Sequence, residues 1–155
     1  KATIESIHQA VSPYAACRDL SRSLLAHLDR VARTLQPSFS KTGGCHGAVA
    51  LSLDEPPRVL ASSEDVGRHN AVDKVVGALL LADAVPRQDA VLWVSGRASF
   101  EMVQKALMAG FAALVCVGAP TSLAVQMAQE SRLSLIGFAT GPERYNVYSG
   151  RVVGE

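Results

Sequence analysis

Apolar and polar positions follow two rhythms along this chain, and each change of rhythm marks an element. Over residues 19–35, Leu20, Leu24, Leu28, Val31 and Leu35 recur at steps of three and four, the spacing of one helical face, and Pro37 closes the helix. Ile4, Ile7 and Val11 mark a shorter helix before it. A small-residue loop, Ser40-Lys-Thr-Gly-Gly-Cys-His-Gly47, comes next. Residues 48–53 then alternate with period two, Asp54-Glu-Pro-Pro57 turns, and 58–61 return, which reads as an antiparallel hairpin. Val72, Val75, Val76, Leu79 and Leu80 share a helical face over 70–82. Beyond it, Ala90-Val-Leu-Trp-Val-Ser95 is a continuous apolar run, as expected of a strand covered on both faces. A helix over 99–109 turns Phe100, Val103 and Leu107 inward, with Ser99 as its N-cap and Gly110 at its end. A buried strand over 113–117, a helix over 121–130 led by Pro120, and a third buried strand over 133–139 complete the run. Residues 140–143 turn into a last, edge strand over 144–148.

Apolar strands alternating with amphipathic helices give parallel pairs with right-handed crossovers, and the early hairpin adds an antiparallel part. The expected class is therefore α/β, a three-layer α/β/α sandwich on a mixed sheet, in one domain over 1–155. The 155 residues suffice for one core, and 48% hydrophobic with 19% charged residues is ordinary globular composition. A net charge of +1 provides no strong field toward nucleic acid or a membrane, and no apolar run is long enough to span a bilayer. The first residue is Lys, so the chain is expected to be part of something longer. Cys17, Cys45 and Cys116 are far apart and form no C-x-x-C pair, and their small number points to a reducing cytoplasm.

The chemistry concentrates in Glu64-Asp-Val-Gly-Arg-His-Asn70, at or just before the start of the helix over 70–82. Unpaired N–H groups and the dipole favour an anion there. In open α/β sheets, ligands bind beyond the carboxyl ends of the strands. Those ends carry Ser95-Gly-Arg97, Gly118-Ala-Pro-Thr-Ser122 and Thr140-Gly-Pro-Glu-Arg144, which combine small backbone, hydroxyls and cations. Together with Arg68 and His69 they suit a phosphate-bearing ligand. Neither a G-x-G-x-x-G fingerprint nor a phosphate-loop lysine motif is present. Structural readings stand beside the functional ones: His69 as a helix-capping histidine, Arg68 as the ion-pair partner of Glu64 or Asp65, and Gly141-Pro142 as a plain turn.

The order of parts is similar to the cytidine-deaminase fold, whose zinc site needs H-x-E at one helix start and P-C-x-x-C at the next. Here the first start reads His69-Asn70-Ala71 and the second Ala98-Ser99-Phe100-Glu101-Met102, so the glutamate and both thiolates are missing. Zinc hydrolysis is not expected, and no metal ligands are assigned. Cys45 beside His46 lacks the arrangement of an activated nucleophile.

Three long motifs, Thr42-Gly-Gly-Cys-His46, Glu64-Asp-Val-Gly-Arg-His-Asn-Ala-Val-Asp-Lys74 and Ser95-Gly-Arg-Ala-Ser-Phe-Glu-Met-Val-Gln-Lys105, resemble the FdhD family of formate dehydrogenase accessory proteins. Ala119-Pro-Thr-Ser-Leu-Ala-Val125 and the ending Gly137-Phe138 … Asn146-Val-Tyr-Ser149 resemble it too. The resemblance implies a cytoplasmic, homodimeric sulfurtransferase-type sulfur carrier with a cytidine-deaminase-like larger domain. Such a carrier takes persulfide sulfur from a cysteine desulfurase. It passes the sulfur to the molybdenum bis(molybdopterin guanine dinucleotide) cofactor before insertion into formate dehydrogenase. The carrier C-x-x-C is expected just ahead of the segment that Lys1-Ala-Thr-Ile4 resembles, so no catalytic residue is assigned within this chain. Carried over, the nucleotide turn is Phe138, Ala139, Thr140, Gly141, Pro142, Glu143 and Arg144, with Arg97, Arg68 and His69 meeting the rest of the cofactor. His69 and Asp73, one turn apart, would hold each other or contact the pterin. The competing functions are a deaminase-type zinc hydrolase and a module that docks formate dehydrogenase without holding cofactor.

Overall fold

The computed structural model describes residues 3–85 and 88–154; Lys1 and Ala2, where the family resemblance begins, lie outside them. Strands β2 (His46–Ser52), β3 (Val59–Asp65), β4 (Ala90–Val94), β5 (Ala113–Cys116), β6 (Ser134–Gly141) and β7 (Arg144–Ser149) form one sheet in the order β3-β2-β4-β5-β6-β7. β4, β5 and β6 run parallel, whereas β2–β3, β2–β4 and β6–β7 are antiparallel. The mixed sheet expected from the alternating runs is thus present.

Period two within each central strand builds the layers. Ala48, Ala50, Leu92, Val94, Leu114 and Leu135 point to one side. There they meet helices α4 (Arg68–Leu81), α5 (Phe100–Met108) and α6 (Ser122–Ser131), with Ile7 of α1 (Ile4–Ala10) at the rim. Val49, Leu51, Val91, Trp93, Val115 and Ile136 point to the other side and meet Leu24, Leu25, Leu28 and Ala32 of α2 (Arg22–Thr34). Burying each of the larger of these side chains, such as Leu92, Leu114 or Ile136, is worth about 1.5–3 kcal/mol, so neither helical layer is dispensable. A chain of this fold has sheet ends free to carry chemistry, because both faces are spent on packing.

Several local expectations are corrected. Residues 19–35 are not one helix: Leu20–Ser21 forms β1, which pairs in parallel with β8 (Val152–Val153), and α2 starts only at Arg22 with Ser21 Oγ accepting from Leu24 N. Leu20 is still fully buried, but from a strand. Pro37 begins a short helix, α3 (Pro37–Thr42), besides ending the previous one, so the 40–47 stretch is half helix, half strand start. Its fixed φ suits a first helical position, and Gly43 closes the helix at φ 65°. β3 runs on to Asp65, beyond the expected 58–61, and β6 to Gly141, shortening the 140–143 turn to Pro142 and Glu143. Leu80, placed on the buried face of its helix, is 64% exposed.

Candidate functional site

The carboxyl ends of β4, β5 and β6, the amino end of β2 and the first turns of α4, α5 and α6 meet at one edge of the sheet. Backbone bonds stitch the crossings: Gly118 N to Gly96 O, Thr121 N to Ala98 O, and Phe138 N to Gly118 O, all 3.0–3.1 Å. The packing leaves no room for side chains at two glycines. A Cβ on Gly118 would lie 3.0 Å from the Arg97 backbone, and one on Gly137 would lie 2.8 Å from both Pro120 Cδ and the Tyr148 ring. That edge is therefore rigid by construction.

The carboxylates next to Arg68 do not pair with it, which corrects the ion-pair reading. Glu64 instead accepts from Ser38 N and Phe39 N at 2.9 and 2.8 Å, capping α3. Asp65 takes Lys74 Nζ at 2.6 Å, Gly67 N at 2.9 Å and Asn70 Nδ2 at 3.2 Å. The Lys74 bond first, then those amides, holds the Asp65 carboxyl down at about 2. Asp73 pairs with Lys105 at 2.6 Å, so it is Lys105 and not His69 that holds it. With its neighbours satisfied elsewhere, the start of α4 is left with two orphans: Arg68 Nε and His69 Nε2 are shielded from solvent and have no hydrogen-bond partner among the described residues. Native structures leave few such atoms, so each calls for a physical explanation.

Further groups close around these orphans. A Cβ on Gly96 would lie 3.4 Å from Arg68 Cδ and 3.5 Å from His46 Nδ1, so the absent side chain makes room for both. His46 Nδ1 is 3.4 Å from Ser95 Oγ, which also accepts from Gly47 N at 2.9 Å. Glu101, in the first turn of α5, has its carboxyl held below the usual range by its own N–H and the Ser99 hydroxyl, with His69 and Arg68 adding attraction. Of these, His46 and Glu101 were not assigned to the site from sequence. A period-two pattern at 46–48 beginning one residue earlier is the signal that would have put His46 on the strand end. His46, Ser95 and Cys45 also line a cleft of about 310 Å³ on the α2 side, with Asp29, Arg33 and Trp93. Arg33, held by Asp29 at 3.0 Å, donates from Nη2 to Thr140 O at 2.9 Å and so ties that cleft to the β6–β7 hairpin.

The hairpin carries the remaining expected residues. Between Gly137 and Gly141 its register shifts, and in that irregular stretch Phe138 sits at φ 52° while 44% exposed. A left-handed backbone is costly for a bulky residue, by about 1–2 kcal/mol, and its persistence here is the mark of a constrained site. Ala139 packs toward α2 with Tyr145, whereas Thr140, Gly141, Pro142, Glu143 and Arg144 form the tip. Arg144, Glu143, Pro142 and Gly141 face a different cleft from the one at His46, shared with Arg22 of α2. The expected residues thus share one sheet edge but divide between two clusters, Arg68 and His69 on the α4 margin and 138–144 on the hairpin. Arg97 stands between them, against Gly118.

The cysteines have different settings. Cys116 is buried, its Sγ donates to Gly118 O and Ile136 O at 3.3 Å, and burial pushes its thiol up to about 12. Cys17 and Cys45 are partly exposed and unpaired. Among the described residues no three His, Cys, Asp or Glu side chains are grouped to hold a metal ion, and no helix is long and apolar enough to cross a membrane.

Fold and edge together define an α/β/α domain with a cationic, glycine-walled margin. The FdhD/NarQ family profile matches residues 1–152, and the chain belongs to that family. It is 53% identical over 131 residues to the sulfur carrier protein FdhD of Nocardia farcinica, covering 84% of this chain and 46% of that protein. Against the sulfur carrier protein FdhD of Anaeromyxobacter dehalogenans it is 46% identical, covering 95% of this chain and 52% of that one. The chain spans about half the length of the curated relatives it matches. A solved structure described as a formate dehydrogenase accessory protein from Desulfotalea psychrophila superposes with a TM-score of 0.78 at 31% identity, over 91% of this chain and 58% of that one. The α/β class expected from the sequence and the family resemblance both stand on these matches.

Proposed function

We propose that this domain holds the molybdenum bis(molybdopterin guanine dinucleotide) cofactor as cargo while sulfur is delivered to it for a formate dehydrogenase. The observation that carries the reading is the pair of shielded, unpartnered nitrogens, Arg68 Nε and His69 Nε2, at the carboxyl edge of the sheet. An anionic ligand supplies the acceptors they lack, and satisfying buried donors is worth about 1–3 kcal/mol each. The constrained hairpin adds an exposed aromatic ring, Phe138, and a cation, Arg144, suited to a nucleotide end. The names of its relatives, sulfur carrier proteins, support this reading.

Within this chain the residues bind and orient; none of its cysteines has the setting of a carrier. Cys116 is too deeply buried and too basic to be a thiolate, and Cys17 and Cys45 stand singly. The persulfide, received from a cysteine desulfurase, belongs in this reading to the part of the family's length that the chain does not cover. The protein acts in the cytoplasm as a homodimer.

The test is recovery of formate dehydrogenase activity in cells that lack their own copy of the gene. The intact protein is expected to restore it, and Arg68→Ala with His69→Ala is expected to reduce it at least tenfold at equal protein level. Full activity from that double variant contradicts the reading. Full activity without any guanine-nucleotide binding by the purified protein assigns the domain to docking instead.

A further inference from the structure

At the end of β4, two chemistry-bearing side chains from other elements lean over a residue that has none. His46 opens β2, and the antiparallel pairing of Ala48 with Val94, continued by Ser95 N to Gly47 O at 3.0 Å, brings it alongside Gly96. Arg68 arrives from the first turn of α4. A Cβ on Gly96 would lie 3.4 Å from Arg68 Cδ, 3.5 Å from His46 Nδ1 and 3.7 Å from His46 Cε1. These are ordinary contact distances, so one small atom fits there. The glycine leaves that place open, walled by the arginine stem on one side and the Nδ1–Cε1 edge of the imidazole on the other. Gly96 itself is half-buried, so the gap reaches solvent.

Both walls carry a nitrogen with little to do. Arg68 Nε is bonded to the Cδ that faces the gap, is shielded from solvent and has no partner among the described residues. His46 Nδ1 has one contact, 3.4 Å to Ser95 Oγ, and that hydroxyl already accepts from Gly47 N at 2.9 Å. Well-formed bonds of this kind measure about 2.7–3.2 Å. The Ser95 contact therefore orients the ring without engaging it fully, and bonds that are long beforehand tighten around a ligand. The acid across the β2–β3 pair does not compete for the imidazole: Asp65 is taken by Lys74, Gly67 N and Asn70. We propose that an oxyanion group of the cargo places an oxygen in the gap over Gly96, between Arg68 Nε and His46 Nδ1, with His46 as a further binding residue. Ser95 is then a positioning residue that acts through the ring. The proposal rests on the cargo-binding reading above and deepens it, because it adds a donor from β2 and gives the anion a floor at Gly96.

The experiment is a titration of the intact protein with inorganic phosphate, read from the histidine ring resonances by NMR. A saturable shift at His46 is expected. Gly96→Ala fills the gap at contact distance on a backbone that alanine can adopt. It is expected to weaken phosphate at least tenfold while melting at the wild-type temperature or slightly above it. His46→Ala is expected to cost about tenfold, the loss of one charge-assisted contact. His46→Gln is expected to recover part of that loss, and Ser95→Ala to cost less than His46→Ala. Should Gly96→Ala melt early, the wild-type shift and the His46→Ala titration decide alone. Phosphate bound as tightly by a well-folded Gly96→Ala overturns the proposal. Phosphate binding that is lost in Arg68→Met but leaves the His46 resonances unmoved also overturns it, and leaves the cargo-binding reading standing. No saturable phosphate binding overturns the proposal as well. The cargo-binding reading falls with it only if Arg68→Ala with His69→Ala still restores formate dehydrogenase activity.

Discussion

Arg68 and Arg144 lie at the same edge of one sheet, under opposite constraints. Arg68 is half-buried at the start of α4, its Nε is sealed from water, and the nearby carboxylates are engaged elsewhere. Arg144 is exposed at the first position of β7, just after a two-residue turn, and costs the fold nothing when it is free. A shielded orphan is a stored penalty that a ligand relieves, so it couples binding to stability. An exposed, unpaired cation couples to binding alone. The α4 margin is accordingly expected to affect both measurements, and the hairpin tip only one.

The largest test of that division is Gly137→Ala. The new Cβ meets Pro120 and the Tyr148 ring at 2.8 Å, so overpacking is expected to remove about 1–3 kcal/mol of stability and to displace Phe138, abolishing nucleotide binding. Thermal melts with a parallel titration read both; a variant that melts normally and binds normally breaks the claim of a rigid edge. Next comes Arg68→Met. It removes the orphan while keeping much of the side chain's apolar volume, so stability is expected to hold or to rise by about 1 kcal/mol while formate dehydrogenase maturation fails. A loss of stability there shows that Arg68 is structural. Phe138→Gly is expected to hold stability or gain about 1 kcal/mol by releasing the left-handed strain, and to weaken nucleotide binding. Denaturant midpoints decide it, and a clear drop contradicts the strain argument.

The smallest effect is one of pH. The Asp65 carboxyl is depressed by Lys74 and two amide contacts, so its stabilisation is fully present above its ordinary value of 3.8 and is lost as pH falls toward about 2. Melting wild type and Asp65→Asn through that window is expected to show a difference that shrinks on acidification. A constant difference removes the titration from the account.

The three parallel strands and their helices were legible because long apolar runs and four-residue steps are strong signals. Leu92, Leu114 and Leu135 could go nowhere but a doubly covered sheet. What was not legible lay in short or long-range pairings. β1 and β8 are two residues each and lie over a hundred residues apart, so no local rhythm announces them. Pro37 both stops and starts a helix, and sequence offers only the stop. At the candidate site, sequence gathered residues that the fold does bring to one edge, but paired them wrongly. Glu64 and Asp65 are adjacent to Arg68 along the chain, yet a β-strand directs them to α3 and Lys74. Arg22, Arg33 and His46 stand far from the hairpin or the helix start in sequence, and only the sheet brings them there.

The central claim is that the β6–β7 hairpin and its surroundings hold a guanine nucleotide. Amide hydrogen exchange of the intact protein, with and without guanosine diphosphate, tests it directly. Slower exchange at residues 138–145 and in the first turn of α2, with the outer end of α4 unchanged, is the expected result. Bound nucleotide with unaltered exchange in both segments contradicts it.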